Sequence, residues 1–489
     1  MYKPKGWEIV QRLIKEHTHF FIYGDPDIDG LYATKLTIDF LKSQKKAYTY
    51  YINDNRQHGY MLDITKYGAD GIVLIAVDFA MTRAEVNEIV RKGVTVINID
   101  HHEVESEQNR LYHIKDTKTQ AEGVIINNTY AFEDDKYKFL SGAGVCYSVY
   151  SMIDEAYITQ VHKAYVGITL LSDMCVIESQ EAQEYLHAAY TWDDAESKYL
   201  IDMVMSEKQK LYTFGVQKNM DREFLDYTFN PLLNAMCRCN ANIQALQLLM
   251  QETQVGDLQK YKEVQNAYIN MLQEIEEIDE YTNLIVCKIQ IEALPTGDIS
   301  YGNFIGILAN RLVNTLQKSV LIYMMHGTKL VRGSFRGYYT GMNYLQICKQ
   351  QQIQCEGHKE AFGILSMSIT QDLFRRVDDA ITAANVTYRK EYKETAIQIK
   401  VKNLQRQIQI DKKSVLYNAY VRNAYRVYYD CRECVYEKYK ESKLKTYIEY
   451  KIDGVIVKCF TAQLTPKDGL VLPMLSNGYI TYTLVPQLH

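Results

Sequence analysis

Three aspartates at alternate positions, Asp25, Asp27 and Asp29, sit in the run D-P-D-I-D-G that ends at Gly30. Carboxylates crowded into one tight turn repel one another and are hard to keep ionised together. A divalent cation resolves that conflict, because hard cations take oxygen ligands. Acidic capping of a helix starting near Ile28 would account for one or two of the three. A further carboxylate, Asp78, closes A-V-D-F, and Asp100-His101-His102-Glu103 sets two adjacent imidazoles between acids. Asp173 falls in L-L-S-D-M, an apolar helical context in which a free carboxylate is costly to bury. Taken singly, Asp78 and Asp173 read as cap or turn residues. As a set, these side chains supply oxygen and imidazole donors for two Mn²⁺ or Mg²⁺ ions, not a thiolate cage for zinc. A bridging carboxylate would hold two such ions ~3.5–4 Å apart, the arrangement used in phosphoryl-oxygen chemistry.

The elements that must position these groups follow a βαβ pattern. His19–Gly24, Val73–Val77 and Val94–Ile99 are short apolar runs, with helical spacing over Ile28–Lys42 and Arg83–Arg91. Continuous apolar strands separated by helices predict a parallel sheet covered on both faces. Chemistry in such sheets gathers at the carboxyl ends of the strands, and each of these three ends in an acidic residue or cluster. From Gly142 to about Glu280 the pattern is helical. Asn283–Ile291, Phe304–Leu316, Val320–Met325, Lys329–Ser334 and Ser366–Ala384 then read as strand, helix, two strands and a long helix of a smaller α/β domain. The last hundred residues are β-rich, with candidate strands at Ala396–Val401, Tyr447–Ile452, Val455–Thr461, Leu470–Leu472 and Tyr479–Val485. Asp453-Gly454 is a hairpin signal, and five short strands with one helix suit an OB-like barrel.

Length and composition narrow the class. The chain has 489 residues, enough for roughly three domains at ~150 residues each. With 55 Lys and Arg against 60 Asp and Glu, a wholly basic nucleic-acid coat is excluded while a local basic groove is not. No run approaches ~18 apolar residues, and Met1 to Val10 lacks an apolar signal core. Ten scattered cysteines read as reduced thiols of a cytoplasmic protein rather than a disulfide framework. The close pairs Cys237/Cys239 and Cys431/Cys434 lie far apart in sequence with no histidine pair nearby, and reduced thiols are expected there too.

The order of these motifs resembles that of the DHH phosphoesterases: D-P-D-I-D-G, the strand-end Asp78, D-H-H and the later Asp173. Further segments narrow the resemblance to the RecJ-like single-strand exonucleases. Leu140–Val145 (L-S-G-A-G-V) is similar to their glycine-rich helix start, and Pro231–Arg238 (P-L-L-N-A-M-C-R) to their P-R-x-N-A-x-G-R segment. Tyr301–Val313 resembles the opening helix of the DHH-associated domain. Arg332–Gly337 (R-G-S-F-R-G) and Glu356-Gly357-His358 resemble its R-G-S-G-R and G-G-H signatures. The likeness runs from about Phe20 to Ile364. It departs from the pattern at Leu232, Cys237 and Glu356, the last placing a carboxylate in the path of a phosphate. It implies a parallel-sheet catalytic domain over 1–240, a helical connector over 241–282 and a smaller α/β substrate-binding domain over 283–388. The β-rich, OB-like part would occupy 389–489.

The resemblance also implies roles. Asp27 and Asp78 would hold one metal, with Asp25 completing that site or orienting a water. Asp29, Asp78, His101 and Asp173 would hold the other, Asp78 bridging, and His102 would contact the scissile phosphate. Arg332, Ser334 and Arg336 alternate along a strand and so share one face, and arginine forks on one face suit phosphate. With Asn234, Arg238, Arg56 and His358 they would form the substrate grip, including a pocket for a terminal 5′-phosphate. Lys390 to Lys445 carries fourteen basic and seven acidic residues interleaved with eight tyrosines, a composition that suits single-strand binding as well as a solvated basic face. The implied activity is a 5′→3′ exonuclease releasing mononucleotides from single-stranded DNA, with replication or recombination proteins as partners and no membrane. The alternatives are a phosphodiesterase of short oligoribonucleotides or cyclic dinucleotides, and a silent single-strand-binding scaffold.

Overall fold

The computed structural model describes residues 4–52, 71–102, 112–128, 139–173, 175, 177, 179–205, 220, 224–252, 258–272, 277–294, 299–316, 318–338, 342–370, 372–384, 396–411, 426–441, 448–459, 464–476 and 479–486. Arg56 lies outside them. The chain forms two compact units, 1–262 and 263–489.

In the first unit, helix α1 (Trp7–Glu16) leads into β1 (His19–Gly24), α2 (Ile28–Ser43), β2 (Ala47–Ile52), β3 (Val73–Val77), α3 (Arg83–Arg91), β4 (Thr95–Asp100), β5 (Tyr112–Lys115) and β6 (Glu122–Asn127). These strands make one sheet in the order β2-β1-β3-β4-β6-β5, parallel except for the β5–β6 pair. β3, β4 and β6 are buried along their whole length, as continuous apolar runs require of strands covered on both faces. The three strands expected from sequence are present, and β2, β5 and β6 extend the sheet.

One face packs Phe21, Leu74 and Val96 against Val86, Ile89 and Val90 of α3. On the other, α2 lies along α4 (Gly142–Ile153), where Phe40 stacks on Tyr150 at 4.3 Å and Thr37 Oγ1 meets the Tyr150 hydroxyl at 2.8 Å. α5 (Gln160–Ser172), α6 (Gln180–Tyr190), α7 (Ala195–Val204), α8 (Asn230–Arg238) and α9 (Asn242–Leu249) complete the expected helical part, and α10 (Gln259–Leu272) spans the boundary between the units.

The second unit opens with a sheet ordered β11-β12-β10-β9-β8-β7, built from β7 (Glu277–Glu280), β8 (Leu284–Gln290), β9 (Ser319–His326), β10 (Lys329–Arg336), β11 (Cys355–His358) and β12 (Ala361–Ile364). α11 (Ile305–Leu316) lies against β9 and β10. α12 (Tyr344–Gln350) and α13 (Leu373–Ala383) bury Phe335, Tyr344, Phe362, Ile364, Phe374 and Val377 on the opposite side. The long helix expected from Ser366 starts only at Leu373. Met367 and Ser368 instead pair with Leu330 and Lys329 as the short strand β13 (Met367–Ser368), a partner that helical periodicity cannot foresee.

The C-terminal part is β-rich as expected, but it is one open seven-stranded sheet and not a five-stranded OB-like barrel. Its order is β14-β15-β19-β20-β18-β17-β16, from β14 (Ala396–Lys400), β15 (Arg426–Asp430), β16 (Tyr436–Glu441), β17 (Ile448–Ile452), β18 (Val455–Cys459), β19 (Gly469–Ser476) and β20 (Tyr479–Pro486). Parallel pairing of β14 with β15, with helix α14 (Leu404–Asp411) between them in sequence, and of β18 with β20 leaves β14 and β16 as edges of the described path. The Asp453-Gly454 hairpin is present. Ile452 faces Val455, and both turn residues have positive φ, 47° and 87°. Among the described residues no helix is long and apolar enough to cross a membrane, and all ten cysteines are free thiols.

Candidate metal centre

Strand register brings the acids together. Gly24 pairs with Val77 and Val77 with Ile99, so the residues that follow, Asp25, Asp78 and Asp100, leave three neighbouring strands at the same level. The Asp78 amide donates to the Ile99 carbonyl at 2.9 Å, and its φ is +54°. That left-handed backbone, tolerated better by Asp than by most residues, turns the chain sharply off the strand. Asp27 caps α2 by accepting from the Gly30 amide at 3.2 Å, while Asp29 lies inside the first turn. Gly30 is required, since a methyl there would strike the Asp25 carbonyl.

Asp29 reaches across to the N-terminus of α4, where the amides of Gly142 and Ala143 donate to its two oxygens at 2.6 and 3.0 Å. Free amides and the positive end of the helix dipole suit that carboxylate. Gly142 cannot carry a side chain, because a Cβ would collide with Asp78 Oδ1. Asp173 is the C-terminal cap of α5.

The imidazoles complete the cluster. His101 Nε2 lies 3.3 Å from Asp78 Oδ1, 3.6 Å from Asp173 Oδ2 and 3.7 Å from Asp29 Oδ2. Ligand atoms come within 4.8 Å of one another in three groups: Asp25, Asp27 and Asp78; Asp29, His101 and Asp173; and Asp78, His101 and His102. Asp78 and His101 each belong to two groups.

The electrostatics call for added positive charge. Burial, followed by the neighbouring Asp29 and Asp27, pushes Asp78 well above the usual carboxylate range. Burial likewise raises Asp29 against the opposing pull of His101 and the two amides. Burial would lower His101, but Asp173, Asp29 and Asp100 outweigh it and raise the imidazole. Asp78 is 2% exposed, and its Oδ1 has no hydrogen-bond partner among the described residues. A buried, unsatisfied carboxylate oxygen among oxygen and imidazole donors fits a hard divalent cation. The residues present therefore suit Mn²⁺ or Mg²⁺.

Sequence reasoning left two positioning residues without a role. Asp100 Oδ1 lies 2.7 Å from His102 Nδ1, and Asn127 Nδ2 donates to Asp100 Oδ2 at 3.1 Å and to the His102 carbonyl at 2.9 Å. Burial would lower His102, but Asp100 overrides it and holds the imidazole up at about 10. Asn127 is the register partner of Asp100 across β4 and β6, a tertiary relation with no local motif. At the other side of the cluster the Cys175 thiol lies 3.6 Å from Asp173 Oδ2.

The expected substrate residues are placed separately. Asn234 and Arg238 are half-buried on α8 in the first unit. Arg332, Ser334 and Arg336 lie on β10 of the second unit, with Arg332 Nη1 3.4 Å from Asn303 Oδ1 and Arg336 Nη1 2.9 Å from Ser334 Oγ. Gly302 and Gly306 pass close to these two arginines, where any side chain would intrude. His358 is exposed at the end of β11.

Residues 19–172 match the family model described as DHH family, N-terminal domain. No curated protein matches the chain. Among solved structures, RecJ in complex with Mn²⁺ from Thermus thermophilus superposes with a TM-score of 0.66 at 18% identity, covering 99% of this chain and 71% of that one. Exonuclease RecJ bound to manganese gives 0.54 at 18% identity, covering 79% of this chain and 96% of that one. RecJ in complex with Mg²⁺, also from Thermus thermophilus, gives 0.62 at 16% identity, covering 99% and 70%. At these identities the likeness is one of fold.

Proposed function

Because residues 19–172 match the DHH family model and the chain has a RecJ-like fold, we propose that it is a metal-dependent phosphodiesterase that releases mononucleotides from an end of single-stranded nucleic acid. The observation that carries this reading is the sharing of Asp78 between a carboxylate group (Asp25, Asp27) and an imidazole group (His101, His102). Asp25, Asp27 and Asp78 would hold one ion, and Asp29, His101, Asp173 and Asp78 the other. Bound there, the ions neutralise phosphoryl oxygens and make a nearby water more acidic.

The protein's own groups do the rest. The Gly142 and Ala143 amides fix Asp29, Asp100 with Asn127 fixes the ring of His102, and His102 is the donor that meets the phosphate. His102 suits that role because its side chain is 29% exposed, whereas that of His101 is 7% exposed. In the second unit, Arg332, Ser334 and Arg336 offer a separate row of donors for a phosphate of the strand. By the resemblance of its motifs to the RecJ-like exonucleases, the substrate is single-stranded DNA degraded from the 5′ end, and Arg336 and Ser334 are the candidates for holding a terminal 5′-phosphate.

The test is product analysis on single strands labelled at either end, carrying a 5′-phosphate, a 5′-hydroxyl or a blocked 3′ end, with Mn²⁺. Labelled mononucleotide appearing at once from the 5′-labelled strand supports the reading. Preferential turnover of dinucleotides, or no hydrolysis with either Mn²⁺ or Mg²⁺, overturns it.

A further inference from the structure

The first sheet of the second unit carries an arrangement that the metal centre does not use. Strands β10, β12 and β11 run antiparallel, and their register sets Ser334 opposite Gly363 and Gly363 opposite Glu356. Two residues along, Arg336 faces Ala361 and Ala361 faces His358. Residues directly opposite in antiparallel strands project to the same side. Arg332, Ser334 and Arg336 thus form one row and Glu356 and His358 another, with Gly363 and Ala361 of β12 between Ser334 and Glu356 and between Arg336 and His358. The reverse side of the same strands carries Phe335, Phe362, Ile364 and Cys355 in the core.

This makes a shelf. Its outer strands are two strand spacings apart, roughly 9.6 Å. Its floor is open at Gly363, where an added Cβ would meet nothing nearer than 3.9 Å. Along one side run the two arginines, set beside Gly302 and Gly306 at the approach to α11. Along the other stands Glu356, exposed, with a carboxylate that no described residue pairs. A polyanion crossing the shelf from the arginine row would bring its next phosphate over that carboxylate. Like charges brought together exclude a ligand as effectively as a missing contact does.

We propose that Glu356 is a specificity-determining residue that bars a continuing phosphate chain from this shelf, so that the Arg332–Ser334–Arg336 row accepts a terminal phosphate and rejects internal backbone. The inference rests on the reading of that row as a phosphate grip.

The experiment measures binding by the full chain, in EDTA so that no hydrolysis intervenes, using fluorescence anisotropy. The probes are a linear 5′-phosphorylated oligodeoxythymidylate and a covalently closed circle of the same length. The parent binds the linear probe more tightly than the circle. In Glu356→Gln the affinity for the circle rises about tenfold and the slope of log K against log salt steepens by about 0.7, the value for one added single-strand phosphate. The linear probe changes less than twofold, and Glu356→Asp retains the parental discrimination. The proposal is overturned if the parent binds both probes equally, if the circle gains nothing in Glu356→Gln, or if both probes gain alike. Arg336→Ala separates the two layers. If it binds both probes as the parent does, the phosphate-row reading itself fails. If it weakens binding while Glu356→Gln leaves the circle unchanged, only the role of Glu356 falls.

Discussion

Asp100 Oδ1 stands 2.7 Å from Nδ1 of His102, and the same aspartate accepts from Asn127 and lies buried at 1% exposure. The contact fixes which imidazole nitrogen is committed to Asp100, the arrangement that the proposed donation from His102 to a phosphate calls for.

Asp100→Asn tests that positioning. The amide keeps the shape but loses the charge that holds the ring, and partners of this kind are worth about 10–100-fold. The expected result is a fall of about that size in kcat with KM little changed and the circular-dichroism spectrum intact. A variant with parental kcat would remove Asp100 from the account.

Gly142→Ala sets two effects against each other. In an ordinary helix the change stabilises by about 1 kcal/mol. Here the new methyl would run into Asp78 Oδ1. Mn²⁺ affinity by calorimetry should drop at least tenfold while the variant stays folded, and retention of parental affinity would mean that the α4 terminus is not part of the centre.

Acid stability offers a test away from the chemistry. Glu122 is buried on β6, and Arg12, His113 and Lys115 converge on its carboxylate. Burial would raise its pKa, but hydrogen bonds from Arg12, His113 and Lys115 pull it down to about 2. A depressed carboxylate contributes stability that is fully present above its unfolded value near 4.5 and is lost as pH falls toward 2. Glu122→Gln should therefore be less stable than the parent at pH 7, by about 2 kcal/mol. In denaturant unfolding the gap should narrow between pH 4.5 and 2. A gap independent of pH would show that the effect is one of packing and not of charge.

Much of this centre was legible in the chain because buried parallel strands are continuous apolar runs, and their acidic ends announce themselves at His19–Asp25, Val73–Asp78 and Thr95–His102. The hidden part was what depends on pairing. Asn127 contributes only because β6 lies beside β4 in a given register. The Glu356 row exists only because β11 and β12 fold back along β10. The barrel expected at the C-terminus failed for the same reason. β15 and β16 lie within the basic, Tyr-rich segment that suits single-strand binding as well as a solvated face, and counting strands does not say whether a sheet closes. The helix expected from Ser366 was shortened by two residues captured at the edge of β10, a competition between local period and sheet pairing that the sheet won.

The proposed sharing of Asp78 between two bound dications is read from Mn²⁺ stoichiometry, by calorimetry or electron paramagnetic resonance, on the parent and on Asp78→Asn. Two ions per chain in the parent, with the second site lost and hydrolysis reduced by at least a hundredfold in the variant, is the expected result. A parent that binds no Mn²⁺, or a variant that keeps both ions and parental activity, would contradict it.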